Sequence, residues 1–174
     1  MSKKVAIIVP NPVNGFGLFA YLEACFENGV EAKTFAVSTS PVVKTNSGYE
    51  LKTNGTISEL KGHEADYDGV VFACGDAMIH FSANIGKQEN QDMLEVLRNF
   101  DKLNKKIAGH CAAGLIFEIA GISTGKKMAV HPLTKTAIKN GIAVDNQSMI
   151  DQNLFTAKNE DYVLDIIPWF IRFL

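Results

Sequence analysis

The feature that most constrains the fold of this chain is the alternation of short apolar runs with longer segments of helical periodicity. Residues 5–9 form a continuous run rich in β-branched side chains, which is typical of a strand buried on both faces. Residues 69–73 and 105–110 repeat this pattern, whereas residues 16–28 and 88–103 place apolar side chains at helical spacing. Strands that alternate with helices predict an α/β fold with a mainly parallel sheet and helices on both faces.

The rest of the chain is consistent with one domain over residues 1–174. A composition of 47% hydrophobic and 21% charged residues supports one packed core, and the length leaves no room for a second full domain. A final apolar helix is expected from about Asp161, and Pro168 should kink or interrupt it. The remaining predicted elements are a strand over 30–37, a hairpin or excursion within 40–57, a helix over 112–120 closed by Gly121, and a hairpin over 147–156.

The charge balance argues against two classes of partner. The chain has 17 Lys and Arg residues against 19 Asp and Glu, a formal charge of −2, with no basic run or acidic tail. This balance gives no electrostatic attraction to nucleic acid or to an anionic membrane. No stretch approaches the roughly 20 apolar residues that span a bilayer, and the opening run is too short for a signal-peptide core. We therefore expect a cytoplasmic protein that binds neither nucleic acid nor membrane.

Metal and cofactor signals are weak. The three cysteines, Cys25, Cys74 and Cys111, form no CxxC and no Cys/His cluster, which disfavours a structural zinc site or a disulfide framework. The loop after the first strand could hold a phosphate or a flavin, but Gly15-x-Gly17 lacks a third glycine and no Lys-Ser/Thr pair follows. A plain strand-to-helix connection is favoured there, so we expect no metal and no cofactor.

The segment with the most chemical information is residues 106–115. A predicted strand runs into a predicted helix with almost no linker, and Cys111 lies at the corner. Such a corner strains the backbone of its central residue and requires small residues two positions before and after it. Gly109 and Ala113 meet this demand. A buried core cysteine is the alternative interpretation, but the small residues favour a nucleophile elbow.

Two chemical consequences follow for Cys111. At the start of the next helix, the dipole and the free amides lower the pKa of a thiol, and the Ala112 amide would point at an oxyanion formed by attack of the sulfur. Gly75 ends another buried strand, at the edge where sites form in parallel sheets, so its amide is a candidate second donor. Cys74 is interpreted as structural, as a bystander, or as a resolving thiol under oxidation.

Only four histidines are available as bases. His131 follows a short apolar strand and precedes Pro132, which fixes the turn. His110 adjoins the cysteine, but neighbours on a strand point to opposite faces, so direct contact requires the corner to twist. His63 and His80 lie in loop-like surroundings. On the residues alone, none of them is favoured over an ordinary surface or core histidine.

Four segments, in order, resemble the ThiJ/PfpI family of the class I glutamine amidotransferase-like superfamily. They are the opening strand and helix, residues 67–72 with Cys74-Gly75, the cysteine corner at residues 109–114, and His131-Pro132-Leu133. The tail also resembles the family's closing hairpin and helix, and is closer to the branch called intracellular protease I. Together the segments cover nearly the whole chain.

This resemblance implies a flavodoxin-like three-layer α/β/α sandwich with a nucleophile elbow, assembled as a homodimer or larger homo-oligomer. It also implies a reactive nucleophile at Cys111, a nearby histidine at His131, and amide donors at Gly75 and Ala112. Members of the family include peptidases, glyoxalase-like or deglycase enzymes, chaperones and oxidation sensors.

The chain departs from the family pattern at two positions. Many members place a Glu at the start of the first helix, where this chain has Gly17. The protease I branch places a histidine directly after the cysteine, where this chain has Ala112; its own His110 comes directly before. Tuning of the cysteine would then rest on the helix dipole and on His110 or His131.

Three hypotheses for function remain open. The leading one is a hydrolase of the protease I type, in which Cys111 attacks the carbonyl of a peptide or small molecule and His131 or His110 manages the proton. The second is a glyoxalase-like or deglycase-like enzyme acting on small reactive carbonyls, against which the missing Glu argues. The third is non-catalytic: a redox sensor with an oxidisable Cys111, or a chaperone-like module. The apolar tail is expected to cover the sheet or to form a subunit interface.

Overall fold

The computed structural model describes residues 2–174 and contains a seven-stranded sheet with the order β10-β11-β7-β6-β1-β2-β5. Its neighbouring strands run parallel except for β10 and β11, which form an antiparallel hairpin at one edge. The strands are β1 (Lys4–Val9), β2 (Glu31–Ala36), β3 (Val42–Lys44), β4 (Glu50–Lys52), β5 (Gly55–Thr56), β6 (Gly69–Phe72), β7 (Lys106–His110), β8 (Lys127–Ala129), β9 (Ile142–Val144), β10 (Ser148–Asp151) and β11 (Leu154–Ala157). The helices are α1 (Gly15–Glu27), α2 (Ile57–Leu60), α3 (Phe81–Asn84), α4 (Gln88–Lys102), α5 (Ala113–Ala120) and α6 (Val163–Phe173).

Helices cover both faces of this sheet, so the predicted three-layer α/β/α sandwich is confirmed. One core packs α1 and α6 against the sheet, and the other packs α4 and α5 against the opposite face. Strand β1 is buried on both faces of the sheet, which is why residues 5–9 are apolar without a break. Its side chains alternate between the two cores, with Ala6 and Ile8 in one and Val5, Ile7 and Val9 in the other, and each is fully buried.

The smaller predicted features are also present. Gly121 closes α5 in the left-handed conformation, at a φ of 79°, and Gln152 takes a φ of 56° in the turn between β10 and β11. Strands β3 and β4 form the hairpin expected within residues 40–57. The short strand expected before His131 corresponds to β8, whereas β9 and its parallel pairing with β8 were not predicted.

Pro168 does not interrupt the last helix, because α6 is continuous through it, and the alternative that Pro168 kinks the helix stays a prediction. Pro168 removes the hydrogen bond that its nitrogen would donate to the Leu164 carbonyl. Both residues lie on the exposed side of the helix, where water can bond that carbonyl. The buried Ile166 and Phe170 keep the other side packed on the sheet, which stabilises the helix more than the missing bond costs.

Candidate functional site

The candidate site lies at the carboxyl edge of the sheet, between neighbouring parallel strands. Phe72 of β6 is paired with Gly109 of β7, so the same register brings Cys74 and Cys111 next to each other two residues later. The loop that follows β1 reaches the same edge, where the Asn14 amide donates to the Cys74 carbonyl at 2.8 Å. This is the edge at which parallel α/β sheets carry their sites.

The corner at Cys111 has the strained geometry that the sequence predicts. Cys111 takes a φ of 57°, in the left-handed region that non-glycine residues rarely adopt. Its neighbours must be small: a Cβ at position 109 would lie 2.5 Å from the Ala113 Cβ, and one at Gly114 would lie 2.4 Å from the Val130 Cγ1. The prediction of a sterically demanding strand-to-helix corner is therefore confirmed.

Backbone hydrogen bonds hold this corner in place. The Cys111 amide donates to the Ala157 carbonyl at 3.1 Å, and the Cys111 carbonyl accepts from the His131 amide at 3.3 Å. The corner is thus fixed on one side by the end of β11 and on the other by the segment after β8. Such fixing is what allows a strained conformation, which costs about 1–3 kcal/mol, to persist.

The pKa of the Cys111 thiol is lowered by its surroundings. The main cause is a hydrogen bond from the Cys74 thiol; partial burial opposes it, and the Ala112 amide adds to it. The carboxylates of Glu160 and Asp76 raise the pKa through their negative charge, without reversing the shift. The net effect favours the thiolate, which is the nucleophilic form.

Cys74 is the partner that makes this possible. Its side chain is buried, and its pKa lies well above the ordinary value, chiefly because of its interaction with the Cys111 side chain and because of burial. The Cys74 thiol also lies 4.0 Å from the Gly75 carbonyl oxygen, which can accept its proton. The amides of Ala112 and Gly75 also face the Cys74 sulfur and partly offset this rise. Two backbone donors therefore converge on a pair of sulfur atoms.

Gly75 is required at its position by a close backbone approach. A Cβ there would lie 2.3 Å from the Pro12 carbonyl oxygen and 2.5 Å from the Val13 Cα, which no side chain tolerates. Its amide hydrogen-bonds to the neighbouring Cys74 sulfur. Its predicted role as an oxyanion donor to a substrate at Cys111 stays a prediction.

His131 lines the same cavity as Cys111, and a hydrogen bond to one of its ring nitrogens fixes the orientation of its ring. Its Nδ1 accepts a hydrogen bond from the Leu133 amide at 3.2 Å. In the neutral ring the proton must then lie on Nε2, because Nδ1 is occupied as an acceptor. Neutral His131 is thus able to donate a hydrogen bond into the cavity and has no free acceptor nitrogen with which to take a proton.

His110 points away from Cys111 toward α1, as the alternation of side chains along a strand predicts. Its ring is only 1% exposed and packs 5.9 Å from the Tyr21 ring, and neither of its nitrogens has a hydrogen-bond partner within residues 2–174. Burial lowers its pKa to about 4, so the ring is neutral near pH 7.

The His110 ring also explains why this chain has Gly17 where many family members have a Glu. A Cβ at position 17 would lie 2.5 Å from His110 Cε1 and 2.6 Å from His110 Nε2. The space in which a side chain from the start of α1 would extend is therefore filled by His110. A carboxylate at position 17 and the present position of this ring exclude each other.

Two carboxylates of the site were missed by sequence reasoning. Glu160 and Asp76 both line the cavity, and Asn14 Nδ2 donates to Glu160 Oε1 at 3.4 Å. The sequence held a signal for Glu160: it follows β11, whose carboxyl end lies beside that of β7, and the Asn159 side chain caps the short turn in which it lies. A mainly parallel sheet places such residues at one edge.

The cavity has a volume of about 410 Å³ and is lined by apolar side chains and by two carboxylates, the half-buried Glu160 and the exposed Asp76. Ile79 and Leu133 at the rim are strongly exposed, and Met78 and Leu115 also line it. Glu160 and Asp76 supply carboxylates, and no Lys or Arg is among the lining residues within the described chain. The cavity therefore suits a partly apolar ligand that is neutral or positively charged.

Within residues 2–174, no group of three or more His, Cys, Asp or Glu side chains is arranged to hold a metal ion. A search of the same residues finds no helix with the length and apolar character needed to cross a membrane.

Comparison with known proteins places the whole chain in one group. The model of the DJ-1/PfpI family matches residues 3–171. Protein ppBat of Bacteroides thetaiotaomicron is 49% identical over 174 residues, which cover 100% of this chain and 99% of that protein. A crystal structure from the same organism, of a protein provisionally named protease I, superposes with a TM-score of 0.96 at 49% identity over 98% of both chains. DJ-1 superfamily protein STM1931 of Salmonella typhimurium shares the fold, with a TM-score of 0.85 at 23% identity over 98% of this chain and 89% of its own.

Proposed function

The chain belongs to the DJ-1/PfpI family, and on that premise we propose that it is a hydrolase in which Cys111 attacks a substrate carbonyl. One observation carries this proposal. The sulfur lies at a strained, backbone-fixed corner, lines an open cavity, and is kept toward the thiolate by the Cys74 thiol and the Ala112 amide. A structural cysteine needs none of these features.

The attack uses the thiolate form of Cys111, whose population the lowered pKa increases. The sulfur adds to the carbonyl carbon, and the oxygen that becomes negative is met by the Ala112 amide. His131 supports the same oxygen by donating from Nε2, the nitrogen that its bond with Leu133 leaves protonated. The proposed role of His131 is therefore that of a hydrogen-bond donor to the developing negative charge.

The second half of the reaction uses the carboxylate that the cavity supplies. When the leaving group departs with a proton from water, the acyl group remains on Cys111 as a thioester. Glu160, oriented by Asn14, accepts a proton from the water that attacks this thioester, and the thiolate leaves as the product acid is released.

The charge of the cavity defines the substrate class. Glu160 and Asp76 oppose a second negative charge, whereas the apolar rim favours an acyl group with a hydrophobic portion. We therefore propose short peptides or esters with a neutral or amine-bearing acyl part. A pair of isosteric substrates that differ only in this charge should differ by about tenfold or more in kcat/KM, which corresponds to about 1.4 kcal/mol.

The test is hydrolysis of fluorogenic peptide amides and aryl esters by wild type, Cys111→Ala and Cys25→Ala. Cys25 is buried in α1, away from the cavity, so its variant is a matched control. We expect turnover and acyl labelling to vanish in Cys111→Ala and to persist in Cys25→Ala. Full hydrolysis by Cys111→Ala would refute the proposal. Conversion of methylglyoxal to lactate without hydrolysis would also refute it, in favour of the glyoxalase-like alternative.

Two further parts of the proposal concern setting and assembly. All three cysteines are free, which suits a reducing compartment such as the cytoplasm.

Helix α6 exposes Leu164, Trp169 and Phe173, a dense apolar surface that favours a homo-oligomer. Light scattering on the purified protein tests for this homo-oligomer, and a monomer at micromolar concentration would contradict it.

A further inference from the structure

Hydrolysis uses the Cys74 thiol to stabilise the Cys111 thiolate, but it does not use the capacity of the two neighbouring thiols to be oxidised together. Cys74 and Cys111 follow paired residues of the neighbouring strands β6 and β7 and line the same cavity. Neighbouring strands lie about 4.7–4.9 Å apart, and disulfides form between Cα atoms separated by roughly 4.4–6.8 Å. The register therefore brings the two cysteines within the range of a disulfide bond.

The surroundings of the two sulfur atoms agree with this placement. The Cys74 side chain and the Ala112 amide both lower the pKa of the Cys111 thiol, as expected if they lie against its sulfur in the cavity that Cys74 and Cys111 line together. Cys111 is partly exposed to the cavity, whereas Cys74 is buried behind it. Cys25 lies in the core on the other face of the sheet and does not compete.

We propose that Cys74 and Cys111 form a reversible intramolecular disulfide when a hydroperoxide reaches the cavity and oxidises Cys111. This goes beyond the hydrolytic function and does not depend on it, because it requires only a nucleophilic thiolate and an adjacent thiol. The disulfide would switch off Cys111 and protect it from irreversible oxidation.

The chemistry balances in two steps. The Cys111 thiolate attacks one peroxide oxygen, the O–O bond breaks, and the other oxygen leaves as hydroxide or alkoxide and takes a proton from solvent, so Cys111 becomes a sulfenic acid. The Cys74 sulfur then attacks the Cys111 sulfur; the S–S bond forms, the S–O bond breaks, and the hydroxyl leaves as water with the proton from Cys74. The thiol pair loses two electrons, which the peroxide gains.

The order of the two thiols follows from their environments. Cys111 reacts first because it is the accessible thiolate. The main cause that raises the pKa of Cys74 is its hydrogen bond to the Cys111 sulfur, and conversion of Cys111 to a neutral sulfenic acid removes that anionic acceptor. Cys74 becomes the attacking thiol only after Cys111 has been oxidised.

The test is peptide mapping of the wild-type protein after treatment with an excess of hydrogen peroxide, because sulfinic acid, the competing product, consumes two peroxides per thiol. Trypsin releases Cys74 in residues 62–87 and Cys111 in residues 107–126. We expect a cross-linked peptide lighter than the two reduced peptides by two hydrogen atoms, and its loss on incubation with dithiothreitol. We also expect Cys25→Ala to behave as wild type, and Cys74→Ala to accumulate sulfinic acid on Cys111.

The outcomes separate this proposal from its rivals. Sulfinic acid on Cys111 of the wild type, with Cys74 still reduced, would overturn it, as would a cross-link that involves Cys25. Because the readout is a mass on the unmodified sequence, a folding defect in Cys74→Ala cannot hide the answer. If peroxide abolishes hydrolysis and no disulfide forms, the disulfide proposal fails and the proposed hydrolytic function stands. If the disulfide forms in a protein that hydrolyses no substrate, the proposed function fails and the disulfide proposal stands.

Discussion

The contact between Gly17 and His110 makes a sharp prediction for Gly17→Ala. Gly17 is the third residue of α1, in a backbone conformation open to any residue, and its amide donates to the Asn14 side chain at 2.7 Å. In an unobstructed helix, alanine in place of glycine stabilises by roughly 0.5–1 kcal/mol. Here the new Cβ would lie 2.5 Å from His110 Cε1, against an ordinary carbon contact of about 3.5–4.0 Å. Either the ring or the helix must move.

The cost of that movement sets the expected magnitude. The His110 ring is almost fully buried and packed beside Tyr21, so it yields poorly, and overpacking of this kind costs about 1–3 kcal/mol. The substitution should therefore lower the free energy of unfolding of wild type by about 1–2 kcal/mol after the helical gain is counted. In a His110→Ala background the obstruction is absent, and the same change should be neutral or stabilising. The new Cβ also lies 3.2 Å from Asn14 Oδ1, but this contact is common to both backgrounds and cancels.

The assay is a double-mutant cycle from urea unfolding at one protein concentration. We expect a coupling free energy of about 1–3 kcal/mol between the two positions. Gly86→Ala is the matched control: nothing lies within 4 Å of the added Cβ, so it should change stability by no more than about 0.5 kcal/mol. A coupling below about 0.5 kcal/mol would refute the claim that His110 occupies the space of the side chain at position 17.

Two further predictions concern titration. Burial lowers the pKa of His110 from 6.5 to about 4 in the folded protein. Between these two pH values the ring takes up a proton in the unfolded chain but not in the folded protein. The free energy of unfolding should therefore fall by up to about 3 kcal/mol from pH 6.5 to 4, and an unchanged slope in His110→Ala urea melts would contradict this. For the thiols, iodoacetamide should modify Cys111 at lower pH than Cys25, whose pKa burial raises to about 11. Cys74→Ala should move the Cys111 midpoint up and Glu160→Gln should move it down; identical profiles in all three proteins would contradict the assigned causes.

The central layers of the fold could be predicted because their signals are local and strong. Strand β1 needs apolar side chains on both faces, and residues 5–9 supply them without a break. The corner at Cys111 was predictable for a similar reason, because a small residue two positions away on each side is a steric necessity that sequence alone reveals. The parallel pair of β8 and β9 is only three residues long on each strand, too short for periodicity to mark.

The parts of the site that escaped prediction depend on contacts between distant segments. At position 17 the sequence showed only that a carboxylate is absent. The His110 ring fills the space beside Gly17, and this contact can be predicted only from how α1 crosses β7. Glu160 looked like one acidic residue among several in the tail, and only the order of strands brings it to the cavity. Local pattern therefore identified the strained corner at Cys111, whereas the groups that surround its sulfur depend on topology.

The two missed features have one physical consequence. With position 17 closed by the His110 ring, no acid from the start of α1 can share a proton with Cys111, so the donor to the thiolate is the Cys74 thiol. The cavity instead has carboxylates from Glu160, beyond β11, and Asp76, beyond β6, and both raise the pKa of Cys111. A site built this way separates the group that stabilises the sulfur from the group that can activate water. It also places an oxidisable partner directly against the nucleophile, so the residue that favours the thiolate is the one able to trap it as a disulfide.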